Sequence, residues 1–344
     1  KNNLNPFFFL LEDKHGIEQH LPRLYGPRPD MRTTAGYLYG GLAMKFTKPP
    51  LSIEQQIRLL QSRGMTIANP DRAARYLAHI NYYRLRAYWL PFEEKADGIE
   101  HHFKAGTTFN EVLTIYLFDR KFRLLVMEAI ERLEISFRTR FAHELALIYG
   151  SHAYLDTSLF RRADLHRGCI KSLRGEITRS QETFIKHYRT TYDDPGLPPI
   201  WAICEVMTFG QLSIWFKNLK RRSDRNAIAR IYGIDEVILG SFMHHLTHIR
   251  NLTAHHCRLW NRRLVFTMTI PALPVELSGL FNRQPSRNIY NTLVMLGYLL
   301  KLISPGTTWS VRLRRLIDKY VPDKTASMGF PEGWRDLSMW RDGQ

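Results

Sequence analysis

The stretch that decides the fold runs from Thr107 to Tyr149 and reads TTFNEVLTIYLFDRKFRLLVMEAIERLEISFRTRFAHELALIY. It contains no glycine and no proline. Apolar residues recur along it at near-helical spacing, at Val112, Ile115, Tyr116, Leu124, Ile130, Leu133, Phe137, Phe141, Leu145 and Ile148. A single helix of this length would span about 60 Å. We expect one long bent helix or two helices in tandem, ended by Gly150, as the spine of a helical bundle.

Helical signals continue on both sides of this stretch. Ser52, with Gln55 three positions later, predicts a capping box at the start of a helix. A basic helical region, residues 156–188, is expected to break near Gly168 or Gly175. Further helices are predicted near residues 201–207, 209–219, 224–231, 235–248, 287–303 and 308–320. Because no internal repeat and no sustained strand pattern is visible, the predicted fold class is all-α.

Four segments describe the expected domain organisation. Residues 1–44, rich in glycine, proline and tyrosine, form an N-terminal extension. Residues 45–108 form an N-terminal subdomain with helices and many aromatic residues, and residues 109–304 form the main bundle. Residues 305–344 form a C-terminal helix and a tail that packs on the bundle through aromatic anchors, namely Phe330, Trp334 and Trp340.

The composition favours a polyanionic partner. The chain has 344 residues, with Lys+Arg 49 against Asp+Glu 32, a formal net charge of +17. This balance suits RNA, DNA or an anionic surface, although a basic but otherwise ordinary protein would share it. Three cysteines without a CxxC pair argue for a reducing compartment and against a thiolate zinc site. With no membrane-spanning run and no signal sequence in view, we expect a cytoplasmic protein without a membrane partner.

The chemistry is concentrated in residues 246–263, LTHIRNLTAHHCRLWNRR, which we expect to be helical for most of their length. Arg250, Asn251 and His255 are the candidate catalytic residues. A histidine transfers protons, an arginine neutralises phosphate charge and an amide orients one of them, which is what metal-free RNA cleavage needs. An isolated RxxxxH pattern arises easily by chance, so helix-surface and capping roles are the alternative.

Helix geometry separates two of these side chains. Five positions on an ideal helix leave Arg250 and His255 about 140° apart, whereas Asn251 and His255 share a face. Two arrangements could still bring Arg250 and His255 to one phosphate. The helix could begin or bend near Arg250, or two copies could face each other across a dimer axis. We favour the homodimer, because a two-fold contact supplies two arginines and two histidines to one cleft.

Other candidates carry weaker signals. Arg138 and His143 repeat the RxxxxH spacing, but a salt bridge from Arg138 to Glu134 is the simpler interpretation. His244 and His248 lie four positions apart, yet no HExxH glutamate or third ligand accompanies them, so we expect no metal and no other cofactor.

Several basic residues are candidate RNA contacts. The segment NYYRLRAYWLPF, residues 81–92, interleaves aromatic rings with arginines and could stack bases and bind phosphate. An aromatic-rich core turn is the alternative. The full set of RNA-binding candidates is His256, Arg258, Arg262, Arg263, Arg84, Arg86, Lys220, Arg221 and Arg222.

Six segments together resemble the Abi-like abortive-infection proteins of bacteria, of the AbiD/AbiF type. They are KFTKPPLSIEQQIRLLQSRGM, INYYRLRAYWLPF, FKAGTTFNEVLTIYLFDRKFRLLVMEAIERLEISFRTRFAH, FGQLSIWFKNL, IRNLTAHHCRLWNR and MGFPEGW, in the expected order over about residues 45–340. The family is similar to HEPN domains, helical bundles that cleave RNA without metal, and to the HEPN modules of type VI CRISPR effectors.

The resemblance implies an antiphage or toxin-type ribonuclease with an RNxxxH motif at Arg250, Asn251 and His255, and a cognate non-coding RNA as a partner. At the second site Thr139 replaces the usual polar amide or acid. The runner-up is a non-catalytic RNA-binding protein that holds a structured RNA. A regulator bound to duplex DNA ranks third, because no helix-turn-helix pattern stands out.

Overall fold

Helices make up the ordered architecture throughout the computed structural model, which describes residues 49–94, 101–284 and 287–341. Within these ranges the only β pairing consists of isolated bridges. The all-α fold class predicted from the sequence is therefore confirmed. The predicted extension, residues 1–44, lies outside the described residues, and the other predicted segment boundaries stay predictions.

Thirteen α-helices occur in the described residues. In chain order they are α1 (Ile53–Ser62), α2 (Pro70–His79), α3 (Tyr82–Trp89), α4 (Phe109–Tyr149), α5 (Ala163–Arg179), α6 (Thr183–Thr191), α7 (Ile200–Val206), α8 (Phe209–Asn218), α9 (Arg222–Arg230), α10 (Glu236–Ala254), α11 (Val275–Ser278), α12 (Tyr290–Ile303) and α13 (Trp309–Tyr320).

The predicted spine is one helix, α4, rather than two in tandem. It begins at the cap residue Thr108, whose hydroxyl accepts the N–H of Glu111 at 3.1 Å. It ends at Gly150, which adopts a φ of 89° that a side chain would disfavour. Helices α3, α7, α9, α10, α12 and α13 all pack against it. Because so many partners surround α4, its buried residues occupy several faces instead of one stripe.

The N-terminal helices follow their sequence signals. Ser52 and Gln55 form the predicted capping box, with Gln55 N–H donating to the Ser52 hydroxyl at 3.2 Å. In α3, Tyr88 and Trp89 are each 1% exposed, so the aromatic-core interpretation of residues 81–92 is correct for these two rings. Tyr83 on the same helix is 65% exposed, so α3 has both a core face and a solvent face.

One predicted break is wrong in position. The basic helical region divides at Ser180, between α5 and α6, and not at Gly168 or Gly175, both of which lie inside α5. A glycine weakens a helix without ending it when neighbouring turns keep their hydrogen bonds. The Ser180 hydroxyl instead accepts the N–H of Glu182 at 3.3 Å, and this local bond replaces a helical one at the break.

The C-terminal part packs back on the spine. The Trp309 indole N–H at the start of α13 donates to the carbonyl of Leu125 in α4 at 2.8 Å. The predicted aromatic anchors of the tail are confirmed, because Phe330, Trp334 and Trp340 are all buried. Phe330 packs between rings, 4.7 Å from both Trp334 and Tyr290 by centroid.

No helix in the described ranges has the length and apolar character needed to cross a membrane.

Candidate functional site

Helix α10 presents the candidate catalytic residues at its C-terminal end. It starts at Asp235, whose carboxylate accepts the N–H of Val237 at 2.7 Å, and it ends at Ala254. His255 is the cap residue, and its N–H donates to the carbonyl of Asn251 at 2.9 Å. This is the last helical hydrogen bond, so Asn251 and His255 lie one turn apart on one face. Both are exposed to solvent.

The expectation that residues 246–263 are helical for most of their length is wrong for the second half. Beyond Ala254 the chain forms turns and loop, and we call residues 255–261 the motif loop. His256 has a left-handed φ of 57°, which an α-helix does not contain. The N–H groups of Leu259 and Trp260 donate to a carboxylate elsewhere in the chain instead of to helical carbonyls.

Arg250 is held apart from His255 by the helix. Its side chain is partly buried, and its guanidinium has no hydrogen bond or salt bridge within the part of the chain that the structure describes. Helix α10 passes through Arg250 without interruption, so the arrangement in which the helix begins there is wrong. On a regular helix the two side chains point about 140° apart. Within one chain they do not share a face, and the dimer arrangement stays a prediction.

Helix α3 meets the motif loop directly. Arg84 donates to the carbonyl of His256 at 2.9 Å, which places one predicted RNA contact beside another. Arg258 donates to the carbonyl of Ala87, at the C-terminal end of α3, at 2.6 Å. Burial lowers the pKa of the Arg258 guanidinium, and this hydrogen bond gives it a structural role in addition to any contact with phosphate. Two other predicted RNA contacts are also in this region: Arg262 donates to the carbonyl of Arg258 at 3.4 Å, and Arg263 is exposed.

The remaining predicted RNA contacts lie elsewhere. Arg86 is directed to Glu93, with 3.8 Å between the charged groups, and to the ring of His101. Lys220 and Arg221 lie between α8 and α9, and Arg222 is the first residue of α9. Arg222 pairs with Asp235, the cap at the opposite end of α10 from the motif, at 3.1 Å. Since α10 has 19 residues, this basic run lies roughly 28 Å along the helix from His255.

A buried polar cluster beneath the motif loop was missed by sequence reasoning. Asp119, on α4, is fully buried, and its Oδ1 accepts the N–H groups of Leu259 at 3.0 Å and Trp260 at 2.7 Å. Its Oδ2 accepts the hydroxyl of Tyr88 at 2.7 Å and is paired with the guanidinium of Arg123. Burial, followed by the Asp119 charge, raises the pKa of the Tyr88 phenol, so this hydroxyl remains a donor.

A sequence signal for this cluster exists. Asp119 stands between Phe118 and Phe122, on a helix face that is otherwise apolar, and Arg123 follows it at the i+4 position. Acids are almost never fully buried without partners. An acid–arginine pair on the buried face of the spine therefore indicates a specific polar contact, although it does not identify the segment contacted.

A profile of the Abi-like proteins matches residues 75–261, more than half of the chain. The chain belongs to the Abi-like protein family. The matched range runs from α2 through the spine to the last residue of the motif loop, and it lies inside the longer range over which the resemblance was predicted. Membership of the Abi-like family indicates a role in abortive-infection defence. No significant match was found among curated proteins or among solved structures.

The second RxxxxH of this Abi-like chain has a different environment. Arg138 forms the predicted salt bridge with Glu134 at 2.6 Å, and it also donates to the carbonyl of Met207 at 2.9 Å. His143, five residues later on α4, is exposed. The guanidinium of Arg138 is thus occupied by partners within its own chain, in contrast to that of Arg250.

Three histidines of the Abi-like chain surround Phe266. His245 is 2% exposed, and its Nδ1 lies 2.9 Å from the Phe266 carbonyl, which accepts and so requires N–H at this nitrogen. Its Nε2 is 2.7 Å from the hydroxyl of Thr292. The rings of His244 and His248 pack edge-on against Phe266. In the described ranges no group of three His, Cys, Asp or Glu side chains could hold a metal ion.

Proposed function

We propose that the chain is a metal-independent endoribonuclease of HEPN type that acts in abortive infection. The observation that carries the proposal is the end of α10, where exposed Asn251 and His255 share a face and the Arg250 guanidinium has no partner among the described residues. A positively charged chain, with a net charge of +17, supplies the attraction for RNA. Membership of the Abi-like family supports a role in defence against infection.

The chemistry needs few groups. The ribose 2′-hydroxyl attacks the adjacent phosphorus, the bond to the 5′-oxygen breaks, and the products carry a 2′,3′-cyclic phosphate and a 5′-hydroxyl. His255 removes the proton from the 2′-hydroxyl or supplies one to the departing 5′-oxygen. Arg250 neutralises the charge that develops on the phosphorane, and Asn251 orients His255 or the phosphate.

A homodimer would complete this site. Arg250 and His255 do not converge within one chain, because they lie on different faces of α10. A two-fold contact between the ends of two α10 helices would bring Arg250 of one copy towards His255 of the other. An exposed apolar side chain lies near this end of α10. Leu124 on α4 is 64% exposed and lies one turn from Met127, which contacts Thr253 of α10 through its sulfur at 3.8 Å.

The test is cleavage of a labelled single-stranded RNA of mixed sequence by the purified protein in EDTA. Wild-type protein should cut, and mass spectrometry should find 2′,3′-cyclic phosphate ends. Arg250→Ala and His255→Ala should each abolish cutting. His79→Ala is the matched control, because His79 is likewise an exposed histidine at the end of a helix, α2. Unchanged cleavage in the two motif variants would refute the assignment, as would dependence on a divalent metal.

The second candidate is a non-catalytic protein that holds a structured partner RNA. It is favoured by a basic stripe on α5, where Arg167, Lys171 and Arg174 are exposed and share one face. For this function, a stable RNA should co-purify with the protein and remain intact. Its affinity should fall steeply with salt and should not change in His255→Ala. Co-purified RNA that the wild-type protein degrades, and His255→Ala preserves, would argue for the nuclease instead.

A further inference from the structure

The motif loop has an unusual backbone. His256 and Asn261, with φ of 57° and 47°, are the two non-glycine residues with positive φ in the described part of the chain. They stand at the two ends of the six-residue run that follows His255, with no glycine between them. Left-handed residues of this kind persist when surrounding contacts hold them in place. The contacts that hold the loop therefore decide where His255 is presented.

Four hydrogen bonds supply this constraint. Two run from the N–H groups of Leu259 and Trp260 to Asp119 Oδ1, at 3.0 and 2.7 Å. The others join the loop to α3, through Arg84 to the His256 carbonyl at 2.9 Å and through Arg258 to the Ala87 carbonyl at 2.6 Å. The side chains of Leu259 and Trp260 are themselves buried, at 0% and 2% exposure. The loop is thus anchored from below by α4 and from the side by α3.

Only a carboxylate satisfies the position of Asp119. Its four neighbours all donate: two backbone N–H groups on Oδ1, and the hydroxyl of Tyr88 and the guanidinium of Arg123 on Oδ2. An ionised carboxylate accepts at both oxygens and donates at neither. An asparagine would keep one accepting oxygen but would turn an NH₂ group towards one pair of donors. It would also leave the Arg123 charge buried without its counter-ion.

We propose that Asp119 is a positioning residue for the RNA-cleaving site, acting from the spine helix through the motif loop to hold His255 in register with the scissile phosphate. The inference rests on the proposed nuclease function. Asp119 is too deeply buried to touch RNA, so its loss affects the geometry of the reacting groups and leaves the basic surface intact. A displacement of about 1 Å at a reacting group can cost about 100-fold in rate.

The experiment uses the full-length protein and three variants. Asp119→Asn removes the charge at nearly constant volume. Tyr88→Phe removes one donor and keeps the ion pair with Arg123, so it guards against a failure of Asp119→Asn to fold. Glu236→Gln is the control, because Glu236 forms an equally buried pair with Arg225, at 2.7 Å, at the opposite end of α10. Cleavage of the labelled RNA is followed under single turnover, RNA affinity is measured with His255→Ala as the background, and amide exchange is followed by mass spectrometry.

Asp119→Asn should lower the single-turnover rate by about 100-fold while RNA affinity stays within about twofold, since phosphate contacts set the affinity. Tyr88→Phe should lower the rate by about tenfold, the equivalent of one hydrogen bond to a charged group. In both variants exchange should quicken in residues 255–261, and Glu236→Gln should show neither effect. A single-turnover rate in Asp119→Asn equal to that of the wild-type protein overturns the proposal. An equal loss of rate in Glu236→Gln also overturns it, because that loss would reflect general destabilisation.

Failure of the proposed function gives a separate result. If the wild-type protein does not cut RNA, the nuclease assignment is lost, and exchange at the motif loop decides whether Asp119 anchors it. Faster exchange of the Leu259 and Trp260 amides in Asp119→Asn, and not in Glu236→Gln, supports the anchoring role. Unchanged exchange overturns it.

Discussion

His245 should make the stability of this protein depend on pH in a defined window. Burial, with His244 and His248 nearby, lowers the pKa of His245 from 6.5 to about 4. The neutral ring donates from Nδ1 to the Phe266 carbonyl and accepts at Nε2 from Thr292. Adding a proton would place an uncompensated charge in this buried position and would require the Thr292 hydroxyl to turn.

The direction and size of the effect follow from proton binding. Between pH 6.5 and pH 4 the unfolded chain takes up a proton at this histidine and the folded chain does not. The contribution to stability is therefore fully present above the unfolded pKa and is lost as the pH falls towards the folded one. At about 1.4 kcal/mol for each pKa unit, the complete loss is about 3 kcal/mol. About 2 kcal/mol of it should be lost between roughly pH 7 and pH 5.

The assay is urea unfolding, monitored by circular dichroism, of the wild-type protein and of His245→Gln at about pH 7 and about pH 5. Glutamine can donate to the Phe266 carbonyl and accept from Thr292, but it does not titrate. His244 and His248 remain in both proteins, so the difference in pH dependence isolates His245. We expect the wild-type free energy of unfolding to fall by about 2 kcal/mol more than that of the variant. Parallel losses in the two proteins would refute the reasoning.

Three further predictions concern the dimer, a buried ion pair and two glycines. Mixing Arg250→Ala with His255→Ala should restore RNA cleavage that neither variant shows alone, because a mixed dimer keeps one complete arginine–histidine pair. If sedimentation shows that mixed dimers form and the mixture still does not cut RNA, the two copies do not share a site. Glu236→Gln should lower the free energy of unfolding by about 3 kcal/mol, since Arg225 loses its buried counter-ion, and a urea midpoint equal to wild type would contradict this. Gly233→Ala should destabilise the protein more than Gly150→Ala does. Both positions have positive φ, but only a Cβ at residue 233 would come within 2.7 Å of the Tyr298 hydroxyl. Equal melting temperatures of the two variants would exclude that clash.

Local signals in the sequence determined most of the fold. The spine helix and its end at Gly150, the Ser52–Gln55 capping box and the buried aromatic residues of the tail were all predictable. Each depends on periodicity or on hydrogen bonds between residues a few positions apart, which a single sequence displays. The family was also recognisable, because six segments occur in the expected order, and the profile match confirms it.

The geometry of the candidate site could not be predicted in the same way. The sequence indicated which residue types gather near Arg250, but it did not reveal that the helix stops before His255. Beyond that end, Asp119 accepts the N–H of Leu259 across a separation of 140 residues. The salt bridge from Arg138 to Glu134 was predictable, but only the structure shows that the Met207 carbonyl also accepts from Arg138.

The sequence by itself thus determined the helices, the family and the residues capable of the chemistry. The tertiary structure decided where the motif helix ends, which arginine remains available and which buried acid anchors the motif loop. The physical reason is that helix propensity, capping and periodicity operate within a few residues. By contrast, a buried carboxylate accepts hydrogen bonds from any donor that tertiary packing brings within about 3 Å of it, however distant that donor is in the sequence.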